Sequence, residues 1–185
     1  MSLAAIREAV RSTIATGIPM LKTCDTHGGR FDAEELARMA TRTPAVLVAT
    51  LGFSDLTEGQ GEYRAEVRFV AFAVASDKPG LPRDKAVMAM ADALSKLIPG
   101  NRWGLEESES APQDVRADNL YSGQLNKSGV TLWAVTWRQR MMLGQAMDDD
   151  TLATLNIFET CDLQYAMGSD GTPVAEDMVQ LPQED

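Results

Sequence analysis

The chain has two cysteines, one histidine, and no apolar stretch near the roughly 18–20 residues that a bilayer-spanning helix requires. Two cysteines without a secretory leader make no disulfide framework, so reduced thiols are expected of Cys24 and Cys161. The N-terminus alternates Ile6 and Val10 with Arg7, Glu8 and Arg11, a pattern that predicts no signal peptide and places the protein in the cytosol. Metal-ligand spacing is lacking, as is any phosphate-loop lysine motif. The Gly59-Gln60-Gly61 triplet has neither the third glycine nor the strand-then-helix setting of a dinucleotide site, so no cofactor is expected. Basic residues are missing from one part of the chain altogether. Residues 1–144 carry 17 acids and 17 bases, whereas residues 145–185 carry 10 acids and no Lys or Arg, so the whole formal charge of −10 lies in the tail. A chain of that charge repels a phosphate backbone, which excludes general nucleic-acid binding.

What is present is enough for one ordinary core, since 185 residues bury roughly 70% of the surface that the unfolded chain exposes. Leu3, Ile6, Val10 and Ile14 recur at helical spacing after Ser2, a capping residue, and Gly17 and Pro19 stop the helix. The stretch from Met20 to Thr26 reads as a short strand. Asp32 and Glu35 then form a capping-box variant ahead of a short helix that turns Leu36 and Met39 inward. The run 44–53 is apolar and rich in β-branched residues, as in a strand covered on both faces, and turn formers follow over 54–61. From Glu62 to Ala75, Tyr63, Ala65, Val67 and Phe69 alternate with Arg64, Glu66 and Arg68 until both faces become apolar at Val70. Pro82 opens a helix whose face is Val87, Met90, Ala91, Leu94 and Ile98. Strands over 115–121 and 130–141 complete the pattern. Consecutive strands with few crossover helices predict an α+β fold: a mixed or mainly antiparallel sheet of at least four strands, with two main helices packed on one face. Val67, Phe69, Leu94 and Trp133 are expected to be buried.

The candidate chemistry is thin. Cys24 and His27 stand three apart before two glycines, and one reading makes the chain a small thiol-dependent enzyme, with His27 activating Cys24. The competing reading is a sharp turn that needs Gly28 and Gly29 for its backbone alone. The acids of 106–110 and Asp148, Asp149 and Asp150 are contiguous runs in polar segments, ordinarily solvated rather than catalytic or metal-binding. Trp133 and Trp137 share a strand face with Val135, a stripe that reads as core. No catalytic, cofactor or metal residue is therefore assigned, and the chain is expected not to be an enzyme.

Five segments in order and spacing carry a resemblance: the helix 4–14, the stretch 21–36 leading into 42–52, the strand 63–75, the helix 84–105 and the strand 129–141. Over residues 3–144 the chain resembles the product-thirty-seven family of Mu-like phage and prophage virion proteins, encoded between the capsid and tail-sheath genes. That resemblance implies a structural virion protein of the neck or tail end, and its size and element order are similar to those of phage tail terminators. It further implies a homo-oligomeric ring of about six copies that meets tail tube, sheath or neck proteins. The location implied is the virion, reached from the bacterial host cytoplasm during assembly. A head-completion or minor tail protein that stays monomeric until it meets its partner is the nearest rival role.

Two parts are expected: an α+β domain over 1–144 and an acidic C-terminal arm over 145–185. The arm contains Leu155, Ile157, Phe158, Leu163 and Tyr165 among its acids, too apolar for a solvating tail and too short for a core of its own at roughly 40 residues. Those five residues are the candidate partner-binding set, expected to add a strand at a sheet edge, with a looser segment after Gly168.

Overall fold

The computed structural model describes residues 2–29, 38–59, 61–120, 129–145, 160–165 and 175–180. It divides into two compact units, Met1–Ala146 and Met147–Asp185. The first opens with α1 (Leu3–Gly17), which begins where the Ser2 hydroxyl accepts a hydrogen bond from the Ala5 N–H at 3.2 Å. It then runs through β1 (Thr23–Thr26), a 3₁₀ turn (Ala40–Arg42), β2 (Ala45–Gly59), β3 (Glu62–Ser76), α2 (Arg83–Leu97), β4 (Gln113–Asn119) and β5 (Val130–Gln145). The five strands form one sheet in the order β1-β2-β3-β5-β4. β1 lies parallel to β2 and every other pairing is antiparallel, so the sheet is mixed. The predicted α+β architecture is the observed one.

Both helices pack on one face. Ile6, Val10 and Ile14 of α1, with Val87, Met90, Ala91 and Leu94 of α2, are buried against Val46, Val48, Val67, Phe69, Val135 and Trp137. The Phe69 ring stacks on Trp137 at 5.4 Å and 18°, and Trp103 tilts against the same indole at 5.7 Å. Gly17 gives room where the helices meet, because a Cβ there would stand 2.8 Å from Leu97 Cδ2 and the leucine end would have to shift. The opposite face carries a second apolar cluster of Leu47, Val70, Phe72, Val74, Leu132 and Ala134, on which Met39 packs just before the 3₁₀ turn. This explains why 45–49 and 70–75 are apolar at every position: both sides of the sheet are covered. Leu94 is fully buried, so Leu94→Ala is expected to cost about 2–5 kcal/mol, read as a lowered midpoint in chemical denaturation.

Three expectations are corrected. The turn-forming stretch 54–59 is strand, because β2 continues to Gly59 opposite Glu62. Register shifts between Thr50 and Gly52 and between Ser54 and Thr57 absorb its unfavourable residues, and Asp55 takes a positive φ of 51°. Trp133 is only half-buried, since it faces the helix layer at the margin of the sheet, opposite Asn119 at the end of the exposed β4. In the second unit, Ala175–Gln180 forms a strand, β7, paired antiparallel with β6 (Thr160–Tyr165) where a loose segment was expected. Asp32, Glu35 and Leu36 of the expected short helix lie outside the described residues.

One buried polar residue fixes the connection from α2 to β4. Gln139 lies on the core-facing parity of β5 with Val135, Trp137 and Met141, and is 1% exposed. Its Oε1 accepts the Trp103 indole N–H at 2.6 Å, while its Nε2 donates to Ser108 Oγ at 2.6 Å and to the Ser110 carbonyl at 2.7 Å. A single amide thus satisfies groups along the loop that carries Trp103. Gln139→Leu strands the indole N–H in the core and is expected to cost about 1–3 kcal/mol, with a red-shifted and broadened tryptophan emission as the loosened loop lets water reach Trp103.

Candidate assembly surface

A strand of alternating parity turns residues an odd number apart to opposite sides, and this separates Cys24 from His27. Cys24 faces α1 and packs against the helix-side core, its Sγ donating to the Arg11 carbonyl at 3.5 Å. His27 lies past the end of β1 with its ring edge on Phe72, 6.3 Å between centroids, on the other face. Its Nδ1 accepts the Gly29 N–H at 3.0 Å, holding the turn together. Burial pushes the Cys24 thiol up to about 11, with Arg11 opposing and Asp25 adding to the rise. A thiol held in that state is the reverse of an activated nucleophile. In a Cys161→Ser background, Cys24 is expected to react with a maleimide far more slowly than a free thiol at pH 8, accelerating only as pH climbs past about 10.

Within 106–110, Glu109 pairs with Arg64, and Ser108 is buried beside Gln139. Asp148, Asp149 and Asp150 lie outside the described residues, as do Leu155, Ile157 and Phe158. Leu163 and Tyr165 fall on β6. No group of three or more metal-ligating side chains occurs among the described residues, and no described helix is long and apolar enough to cross a membrane.

The unusual surface is the distal half of β2. β1 ends at Thr26 opposite Val48, and the last bond along that seam is from the His27 N–H to the Val48 carbonyl at 2.8 Å. Beyond it, the outer margin of β2 has no strand beside it among the described residues. Three large apolar side chains cluster on this open stretch, Leu51 at 45%, Phe53 at 44% and Leu56 at 51% exposure. Single exposed leucines are ordinary, but three within six residues of an edge strand are a docking feature or an aggregation hazard. Between this edge and the start of α1 lies a hollow of about 320 Å³, bordered by Leu3, Arg7, Thr50, Leu51 and Phe53. Polar groups in its wall are under-bonded. Among the described residues, Arg7 Nε and Thr50 Oγ1 are shielded from solvent without a partner, and the Arg7 guanidinium makes one long donation, from Nη1 to the His27 carbonyl at 3.4 Å. Sequence reading missed this surface because it took the run 44–53, with Leu51 and Phe53, for a strand covered on both faces, which the exposure of those two side chains corrects, and took 54–61, with Leu56, for a turn.

The other sheet edge differs. β4 is short and presents Asp114, Arg116 and Asp118, with Asp114 paired to Arg138 at 2.7 Å, a charged edge of the kind that discourages strand pairing. The sheet therefore has one guarded and one open margin.

Residues 2–142 match the sequence family described as Bacteriophage Mu, Gp37. Among curated proteins nothing matches the chain. Among solved structures, a chain from the "Virion of native gene transfer agent (GTA) particle" aligns with 14% identity and a TM-score of 0.40, covering 76% of this chain and 95% of that one, a likeness too distant to carry an argument.

Proposed function

The chain belongs to the Bacteriophage Mu Gp37 family, and from that premise we propose that it is a structural component of a phage virion, the tail terminator at the head–tail junction. Family membership is the observation that carries the virion role. The terminator role draws on the resemblance in element order and on the shape of the sheet, guarded at β4 and open at β2. In a ring, each copy must present two different surfaces to its neighbours, and an edge that one copy leaves open is closed by the next. The division of labour we propose is an α+β body over residues 1–144 and an acidic assembly arm over 145–185, with Leu155, Ile157, Phe158, Leu163 and Tyr165 as its apolar contacts. Tail tube, sheath or neck proteins are the partners of the completed ring, which forms in the host cytoplasm and ends in the virion. Catalysis by Cys24 and His27 finds no support in a geometry that sets them on opposite faces. Light scattering on the purified full-length chain tests the ring: a mass of about six protomers is expected, and a strict monomer at all accessible concentrations would refute it.

A further inference from the structure

We infer that the open margin of β2 and the hollow beside α1 receive the apolar–acidic segment 155–165 of a second copy of this chain. The inference rests on the assembly role proposed above and specifies its contact. Three observations made on separate parts of the molecule meet in it.

The first is the receiving surface. Leu51 and Phe53 stand about half exposed beside a hollow of about 320 Å³, on a stretch of β2 whose outer margin has no strand beside it among the described residues and, unlike β4, no row of charges to guard it. An extended segment laid there gains backbone hydrogen bonds along the edge and apolar contact on alternate side chains. The second is the under-bonded polar wall. Among the described residues the Arg7 guanidinium holds one long hydrogen bond, and its Nε and the Thr50 hydroxyl have no partner, so the hollow suits an occupant that brings a carboxylate as well as apolar side chains.

The third observation identifies the occupant. The described residues of the second unit, Met147–Asp185, form a two-stranded hairpin, β6 with β7, and a hairpin of that size is marginal in water unless it packs on another surface. The segment 155–165 that ends in β6 carries Leu155, Ile157, Phe158, Leu163 and Tyr165 interleaved with Glu159 and Asp162, and no base lies anywhere in 145–185. Apolar side chains match Leu51 and Phe53, and the carboxylates match Arg7. A body with equal numbers of acids and bases gives the arm no general electrostatic attraction, so a local arginine decides where it lands.

The test places a photo-reactive benzoylphenylalanine at position 53 of the full-length protein, mixes equal amounts of ¹⁴N- and ¹⁵N-labelled protein, irradiates, and maps the crosslinked peptides by mass spectrometry. Crosslinks from position 53 to peptides within 155–165 are expected, with mixed-isotope pairs present. A Phe158→Asp variant should lower that crosslink about tenfold or more, while circular dichroism and the thermal transition of the first unit stay unchanged. Crosslinks confined to same-isotope pairs would overturn the inference in favour of docking within one chain, and the absence of any crosslink to 155–165 would overturn it outright. Either result leaves the virion role to be judged separately on particles.

Discussion

Phe69→Ala is expected to destabilise the first unit by about 3–5 kcal/mol. Phe69 is fully buried in the central strand β3, stacked on Trp137, and Trp137 in turn supports Trp103. Removing the ring leaves a cavity at one end of the three-ring stack, in the core beneath the helix layer, where surrounding strands paired on either side cannot collapse to fill it. Equilibrium denaturation followed by tryptophan fluorescence measures the loss. A cost below about 1 kcal/mol would mean that the helix layer does not press on this part of the sheet.

The second large effect is on assembly. Deleting residues 146–185 is expected to leave the first unit folded, with its thermal transition retained, and to abolish the ring. The first unit keeps both apolar clusters, all five strands and both helices. What it loses is the part of the chain with 10 acids, no bases and an apolar segment, at roughly 40 residues short for an independent core. Light scattering and calorimetry on the same sample separate the two outcomes. A truncated protein that still assembles would take the arm out of the account, and one that unfolds would show that the arm is part of the core.

Much of this fold was legible because burial follows parity. Ile6, Val10 and Ile14 mark α1 by helical spacing, and the alternation from Tyr63 to Phe69 marks the half-covered part of β3 before Val70 begins the part covered on both sides. Cys24 and His27 were legible in the same way, since a separation of three along an extended chain sends two side chains to opposite faces. The continuation of β2 was not legible. Its residues after Phe53 are mostly exposed, so no apolar alternation survives to identify them, and Ser54, Asp55 and Gly59 are all turn formers. Strand structure there comes from pairing with β3 and from Arg140, which donates to the Asp55 carbonyl at 2.9 Å and to Thr57 Oγ1 at 2.6 Å across 85 and 83 residues of sequence. Such long-range bonds leave no local trace. Gln139 was hidden for a related reason: within Trp-Arg-Gln-Arg it looks solvent-facing until the parity of Val135 and Trp137 is extended through it. The open edge of β2 depends on where β1 stops, a property of two strands together and of neither sequence alone.

The most direct test of the virion role is electron microscopy of particles produced by a phage lacking this gene, with the full-length protein supplied from a plasmid as the control. The account predicts filled heads without joined tails, together with tails of uncontrolled length, and restoration of normal particles by the full-length protein. Normal, complete particles in its absence would contradict a structural role at the tail end.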